Sequence, residues 1–234
     1  MFQFKQFSVD QTGCAMKINT DGVLLGAIAD ADDQKSVLDI GTGTGVIALM
    51  VAQRFPDAQV DAVEIDAEAA RTAGRNFAAS PFADRLHLFP VDFETFFMEN
   101  PDRRYDLIIS NPPFYVDSLK SPGKKKSLAK HADMAFFSML IESTAGHLTP
   151  RGSCWLILPT ELVDPVTTLA EANKLSLRRN ARVKSYPISN SHRSIITFAF
   201  DEGLRDDINM VIYSSKDVYS EEYKNLLKPY FLAF

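Results

Sequence analysis

The middle of the chain alternates short apolar segments with segments that have the periodicity of helices. Typical strand segments are "KSVLDI" at 35–40, "QVDAVEI" at 59–65 and "YDLIIS" at 105–110, and typical helical segments are "GVIALMVAQRF" at 45–55 and "DAEAARTAGRNFAAS" at 66–80. Strands that are separated by helical crossovers pair in parallel, and a parallel sheet needs helices on both of its faces. The alternation therefore predicts an α/β fold.

The same pattern continues towards the C-terminus and then changes. Segments 85–91 and 152–159 are predicted strands, and "DMAFFSMLIESTAGHL" at 133–148 is a predicted helix. Two later strand segments, 178–188 and 193–200, follow one another without a helix between them. We therefore expect a seven-stranded, mostly parallel sheet with an antiparallel edge strand and helices on both faces.

The flanks of this core predict further helices but no second domain. Thr20 or Asp21 is expected to cap a helix that runs from Gly22, and segment 218–234 is expected to contain a short docked helix. Segment 115–132 is the one long irregular stretch. We predict a single domain over 1–234, in which an N-terminal extension and helix (1–34) precede a core with a C-terminal helix (35–234).

Composition says more about the compartment in which the protein works than about its function. A net charge of −5 gives no global basic surface for nucleic acid, although an enzyme with a local basic patch stays possible. The two cysteines form no CxxC pair, so no zinc site or disulfide framework is expected. The N-terminus lacks a signal-peptide pattern, and no apolar run reaches membrane-spanning length. These features predict a reducing, cytoplasmic setting.

A glycine-rich turn follows the first core strand. "DIGTGTGVIA" places Gly41, Gly43 and Gly45 between a strand and a helix, where glycine allows a tight bend and a close approach to a ligand. The spacing differs from the G-x-G-x-x-G dinucleotide fingerprint. Asp39, just before the turn, is expected either to hold the turn or to receive a cationic group.

Acidic residues follow the next two strands. Glu64 lies about twenty residues beyond the glycines, where a carboxylate accepts from a ribose diol in doubly wound folds. Asp92 can accept from an adenine amino group, and Phe93 can line the ring face. Glu64 alone would read as a strand end and Asp92 alone as a helix cap, but together they favour a ligand that contains adenosine.

The fourth strand ends in "NPPF", and its chemistry suits an amino group. Asn111 offers a side-chain carbonyl and Pro112 a backbone carbonyl without an N–H, so an –NH₂ group finds two adjacent acceptors. Phe114 offers a flat face on which a base can stack, and Pro113 completes the predicted catalytic motif. The motif predicts that an amino group is held in line with a methyl donor.

Four motifs together, "DIGTGTG", "VEID", "VDF" and "NPPF", resemble a class I S-adenosylmethionine-dependent methyltransferase of the amino-methylating group, with a Rossmann-like sheet. "NTDGVLLGAIA", "AKHADMAF" and "HRSIITFAF" resemble the bacterial tRNA1(Val) adenine-37 N6-methyltransferase family. The resemblance implies a tRNA substrate, no metal and direct methyl transfer from S-adenosylmethionine. It also implies a cofactor site formed by Thr20, Asp21, Asp39, Gly41, Gly43, Gly45, Glu64, Asp92, Phe93 and Asn111.

Two basic groups are candidate RNA contacts under this resemblance, because tRNA binding relies on phosphate neutralisation. Solvated surface charge is the competing interpretation for both groups. The first group follows the "NPPF" motif and consists of Lys124, Lys125, Lys126 and Lys130. The second group lies in a predicted strand and consists of Arg178, Arg179 and Arg182.

Other functions remain open at the level of sequence. An Asn-Pro-Pro-aromatic motif also suits a glutamine side-chain amide, as in release-factor methyltransferases, and an adenine in ribosomal RNA or DNA presents the same amino group. A nucleotide-binding dehydrogenase on the same sheet is the alternative from another class. It would bind nicotinamide and leave "NPPF" without a role.

Overall fold

The computed structural model describes residues 1–30, 35–112, 124–201 and 203–234, and for 124–133 it describes the backbone only. Its helices are α1 (Thr20–Ile28), α2 (Val46–Arg54), α3 (Ala67–Ala78), α4 (Phe93–Glu99), α5 (Lys124–His147), α6 (Val163–Ala172) and α7 (Glu221–Leu227). Its strands are β1 (Phe2–Gln3), β2 (Ser8–Val9), β3 (Ser36–Ile40), β4 (Gln59–Val63), β5 (Leu86–Phe89), β6 (Tyr105–Ser110), β7 (Leu148–Pro159), β8 (Ser176–Lys184), β9 (Arg193–Ala199), β10 (Asp206–Val211), β11 (Tyr213–Ser215) and β12 (Val218–Tyr219).

The main sheet has the order β10-β8-β9-β7-β6-β3-β4-β5. Its pairs are parallel except those of β9, which runs antiparallel to β7 and to β8. The predicted α/β class with a mostly parallel sheet is confirmed. Two details are corrected, because the described sheet has eight strands rather than seven and its antiparallel strand lies inside the sheet. The outer strand β10 was not predicted, because it is largely exposed and carries little apolar signal.

Alternate residues along each central strand point into two separate cores. Leu107 and Ile109 of β6 pack with side chains of α1, α2, α3 and α7, whereas Ile108 packs with side chains of α4, α5 and α6. Both faces of the sheet are therefore covered, which explains why the central strands are continuous apolar runs. No helix in the described residues is both long enough and apolar enough to cross a membrane.

Two helix starts differ from the predictions. Asn19 rather than Thr20 or Asp21 caps α1, and its side-chain oxygen accepts from the Gly22 N–H at 2.9 Å. Helix α5 begins at Lys124, so it includes the whole second half (124–132) of the stretch predicted to be irregular, while 115–123 lie outside the described residues. Lysine is a good helix former, so the lysine-rich sequence itself did not exclude a helix.

The N-terminal segment packs onto the C-terminal segment. Phe4 forms an isolated bridge with Phe231, and the Lys5 ammonium donates to the carbonyls of Lys228 and Phe234 at 2.6 and 2.9 Å. Helix α1 contacts both α2 and α7. Residues 1–30 are thus attached to the core at several points, which holds the start of α1 beside the carboxyl ends of the central strands.

Candidate active site

A cavity of about 440 Å³ opens at the carboxyl ends of the central strands, where ligands bind in open α/β sheets. This volume lies within the range of about 300 to 1,000 Å³ that is usual for small-molecule sites. Most of its walls come from the ends of three strands, the start of one helix and the N-terminal segment. The lining residues are 40–44 at the end of β3, 63–66 at the end of β4, 110–112 at the end of β6, 91–94 at the start of α4, 14–19, Gly22, Val46, Ile47, Ala69 and Phe136.

The glycine-rich turn supplies an open wall. Gly41 and Gly43 have φ angles of +72° and +56°, and a Cβ placed on either would meet no atom within 4 Å. Both glycines line the cavity, so the space beside them is available to a ligand. Gly45 has a different role, because a Cβ there would lie 2.5 Å from the Phe77 ring. Gly45 is the N-cap residue directly before α2 and packs against α3, and it does not line the cavity.

Glu64 connects two parts of the cavity wall. Its carboxylate accepts from the Gly43 N–H at 2.8 Å through Oε2 and from the Asp66 N–H at 2.8 Å through Oε1. The side chain is buried and still lines the cavity. Each oxygen keeps acceptor capacity beyond its one backbone bond, which suits a neighbouring pair of hydroxyl groups.

Asp39 lies beneath the turn rather than in the cavity wall. Its side chain is completely buried, Oδ2 accepts from the Thr42 hydroxyl at 2.6 Å, and Oδ1 has no hydrogen-bond partner among the described residues. Burial raises the pKa of this carboxyl to about 7, although the Thr42 hydroxyl opposes the shift. The observed geometry corresponds to a residue that holds the turn, one of the two roles expected from the sequence.

Thr20 and Asp21 lie one position away from the cavity. They form the first turn of α1, and the neighbours Asn19 and Gly22 line the cavity instead. Asp21 accepts from the Arg193 guanidinium at 2.8 Å, which links α1 to the start of β9. The segment that contains Thr20 and Asp21 reaches the cavity through its other residues, and the roles of these two side chains stay predictions.

Asp92 and Phe93 both line the cavity. Asp92 also caps α4, because its two oxygens accept from the backbone N–H and the hydroxyl of Thr95, each at 2.8 Å. These hydrogen bonds lower the pKa of Asp92. The Phe93 ring meets the Phe136 ring edge to face at 5.7 Å. Phe136 was not predicted as a cavity residue, because it lies on α5, which is distant in sequence from Asp92 and Phe93.

Asn111 and Pro112 reach the cavity from the end of β6. The preceding residue, Ser110, donates its hydroxyl to the Ile40 carbonyl at 2.7 Å, so the end of β6 is fixed to the end of β3. The predicted acceptor pair therefore lies in the same cavity as the glycine-rich turn and Glu64. Pro113 and Phe114 lie outside the described residues.

The wall formed by 14–19 was not predicted. Cys14, whose apolar surroundings in the sequence predict a core residue, is buried and also lines the cavity. The segment is held at both ends, because the Thr12 carbonyl accepts from the Thr72 hydroxyl at 2.6 Å and the Gln11 side chain accepts from the Ile18 N–H at 2.8 Å. Irregular backbone has no periodic signal, so the sequence offered little to identify this wall.

Among the predicted basic residues, the structure describes the side chains of the three arginines, and all three form ion pairs with aspartates. Arg178, Arg179 and Arg182 pair with Asp201, Asp206 and Asp207 at 3.2, 3.0 and 3.9 Å. Through the strand register, Arg179 is level with Ile109 near the end of β6, and Arg182 lies two residues beyond the level of Ser110. Strand β8 is three positions from β6 in the sheet, and none of the three arginines lines the cavity. Lys124, Lys125, Lys126 and Lys130 are in the part of α5 whose side chains are not described. RNA contact by either group stays a prediction.

The next question is whether the described residues include a metal site. Among those residues, no group of three or more His, Cys, Asp or Glu side chains is arranged to hold a metal ion. The chemistry that the cavity offers is instead polar recognition by carboxylates, amide groups and backbone carbonyls beside an apolar, partly aromatic surface.

Comparisons with known proteins agree with this geometry. The methyltransferase small domain family matches residues 14–176. A tRNA1(Val) (adenine(37)-N6)-methyltransferase of Pedobacter heparinus is 46% identical over 233 residues, which cover 100% of this chain and 98% of that protein. The tRNA1(Val) (adenine(37)-N6)-methyltransferase of Bacteroides thetaiotaomicron is 43% identical over 233 residues, which cover 99% of this chain and 97% of that protein. The structure of a predicted O-methyltransferase from Agrobacterium tumefaciens matches with a TM-score of 0.69 at 18% identity, over 90% of this chain and 96% of that chain.

Proposed function

This chain belongs to the tRNA1(Val) (adenine(37)-N6)-methyltransferase family, and on that premise we propose that it methylates the N6 amino group of adenine 37 in tRNA1(Val). The methyl donor is S-adenosylmethionine. The observation that carries this proposal is the position of Asn111 and Pro112 in one cavity with Glu64 and the open glycine-rich turn.

The residues of the cavity fit the donor. Glu64 has a buried carboxylate with free acceptor capacity for the ribose diol, and Phe93 with Phe136 offers an aromatic surface beside Asp92 for the adenine. The space beside Gly41 and Gly43 is open for the methionine part. When bound, S-adenosylmethionine supplies an electrophilic methyl group on a sulfonium centre.

Asn111 and Pro112 orient the amino group that receives the methyl. The Asn111 side-chain carbonyl and the Pro112 backbone carbonyl each accept one N–H of the adenine amine. Accepting both hydrogens weakens the conjugation of the nitrogen lone pair with the ring and directs it towards the donor. The ring of Pro112 restricts the backbone at this point, so little conformational entropy of the acceptor carbonyl has to be lost when the methyl group is transferred. The surplus proton can leave to water after transfer, so the proposal assigns no general base.

The remaining predicted residues have supporting roles in this proposal. Asp39 keeps the glycine-rich turn in position, and Asp21 ties the start of α1 to Arg193 beside Asn19 and Gly22, which line the cavity. Thr20 is assigned to the same cofactor-binding segment. Residues 1–234 act as one domain, which the contacts of Phe4 and Lys5 with the C-terminal segment support. A tRNA substrate and two free, buried cysteines fit the cytoplasm as the compartment.

The test is transfer of labelled methyl from S-adenosylmethionine to unmodified tRNA1(Val), followed by nucleoside analysis. A second transcript with guanine in place of adenine 37 checks the position. We expect label in N6-methyladenosine from the first transcript only. Label in ribosomal RNA, or in a glutamine of a release factor, with none in tRNA, would overturn the substrate and keep the chemistry.

A variant pair tests the assigned chemistry. Asn111→Ala should lower turnover about 100-fold or more, the scale of losing one oriented polar contact in an active site, while calorimetric binding of S-adenosylmethionine persists. Asn100→Ala is the matched control, because the Asn100 amide donates to the Phe96 carbonyl at the end of α4. Equal loss of binding and turnover in Asn111→Ala would make Asn111 a structural turn residue.

A further inference from the structure

The connection between β8 and β9, residues 185–192, forms a well-fixed turn that we call the rim turn. Within it, the Tyr186 N–H donates to the Ser189 hydroxyl at 2.9 Å, and the Ser189 N–H and hydroxyl donate to the Tyr186 carbonyl at 3.0 and 2.8 Å. The Tyr186 ring lies against the Tyr213 ring, with centroids 5.6 Å apart. Backbone and side-chain contacts thus hold the shape of the turn.

The rim turn lies on the same edge of the sheet as the cavity. Strand β8 runs in the direction of β6, so its last residue is at the carboxyl edge, and β9 starts there because it is antiparallel. Strand β9 is two positions from β6 in the sheet, which corresponds to about 10 Å. Arg193, directly after the turn, binds Asp21 at the start of α1, where Asn19 and Gly22 line the cavity.

The surface of the rim turn is apolar at its tip and not acidic at its base. Ile188 is 98% exposed and Tyr186 is 38% exposed. Residues 184–193 include Lys184, His192 and Arg193 but no Asp or Glu, in a chain whose net charge is −5. Arg193 is already paired with Asp21, so the turn offers an exposed apolar tip and the nearby Lys184, with no carboxylate of its own. This surface suits a ligand that has both flat apolar faces and negative charge.

We propose, resting on the proposed function, that the rim turn is a second RNA-binding surface, where Tyr186 and Ile188 pack against unpaired bases beside the target adenine. A base that enters a methylating pocket must leave its stack, and its former neighbours then lose a stacking partner. Aromatic and apolar side chains commonly replace such lost contacts. The turn presents Ile188 to solvent at the edge of the sheet where the cavity opens.

Kinetics with intact tRNA1(Val) test this surface. We expect Tyr186→Ala and Ile188→Ser each to raise the KM for tRNA about 5- to 100-fold, the range for losing one stacked base, with the dissociation constant for S-adenosylmethionine unchanged. Tyr186→Phe keeps the aromatic ring, so its KM for tRNA should stay close to the wild-type value. Unfolding midpoints within experimental error of wild type establish that the variants fold.

Leu204→Ser is the matched control. Leu204 is 95% exposed, and it lies between β9 and β10, at the edge of the sheet opposite the cavity. We expect its KM for tRNA to equal that of wild type. If wild type methylates tRNA and Ile188→Ser and Tyr186→Ala do so with unchanged KM, the rim-turn proposal is overturned and the proposed function stands. If wild type methylates no tRNA, both proposals fall.

Discussion

The side-chain amide of Asn76 donates to the carbonyl of Thr44 at 2.8 Å, inside the glycine-rich turn. The same side chain accepts from the Asp10 N–H at 2.8 Å and donates to the Asp10 carbonyl at 2.9 Å. One buried residue of α3 therefore joins two walls of the cavity, the turn after β3 and the N-terminal segment. The two walls are far apart in sequence, and this amide fixes their relative position together with the hydrogen bond from the Thr72 hydroxyl to the Thr12 carbonyl.

Asn76→Asp should loosen both walls while preserving the size of the side chain. The change removes two donated hydrogen bonds and places a carboxylate oxygen against the carbonyls of Asp10 and Thr44. Unsatisfied buried polar groups cost about 1 to 3 kcal/mol each, so we expect a loss of roughly 2 to 4 kcal/mol in the free energy of unfolding, with weaker binding of S-adenosylmethionine.

Urea unfolding and calorimetry measure these two effects. Asn173→Asp is the matched control, since the Asn173 amide donates to the Leu169 carbonyl at the end of α6, far from the cavity walls. Its unfolding free energy should change by less than about 1 kcal/mol. Wild-type cofactor binding in Asn76→Asp would contradict the connection between the two walls.

Substitutions of two glycines should act in opposite directions. Gly45→Ala would place a Cβ against the Phe77 ring at a φ of +82°, so we expect about 2 to 4 kcal/mol of destabilisation from backbone strain and overpacking. Gly146→Ala adds a methyl group inside α5, where no atom lies within 4 Å, and should stabilise the protein by about 0.5 to 1 kcal/mol. Urea unfolding measures both, and a shared sign would contradict the assigned packing.

Glu64→Gln should weaken cofactor binding more than it weakens the fold. One of the two backbone N–H groups that Glu64 accepts would face an amide –NH₂, and a charged acceptor for the ribose would be lost. Hydrogen bonds to charged groups are worth about 1.5 to 3 kcal/mol, so the dissociation constant for S-adenosylmethionine should rise about 10- to 100-fold. Glu171→Gln on the exposed side of α6 is the control, and equal affinities for the two variants would refute the assigned role.

Much of the fold and part of the site could be predicted from the sequence, for physical reasons. The buried strands carry continuous apolar runs, and Gly41, Glu64 and Asn111 follow three strands whose carboxyl ends meet at one edge. The missed features depend on tertiary contacts. Strand β10 is mostly exposed, and Phe136 joins the cavity from a helix distant in sequence.

Asp39 gives a prediction with a defined pH window. Its folded-state pKa is raised to about 7 by burial, above the ordinary value of 3.8. Between about pH 4 and pH 7 the folded chain keeps a proton that the unfolded chain has released, so Asp39 lowers stability as pH rises through this window. Below the window both states are protonated, and above it both are ionised, so the contribution is constant there.

Asp39→Asn should remove this pH dependence, because the amide keeps the shape and does not titrate. The free energy of unfolding of Asp39→Asn minus that of wild type should therefore rise between about pH 4 and pH 7, by at most about 1.4 kcal/mol per pH unit, and then level off. Urea unfolding at half-unit intervals of pH, without cofactor, measures the difference. A difference that is independent of pH would show that the Asp39 carboxyl is ionised in the folded protein throughout, with an ordinary pKa.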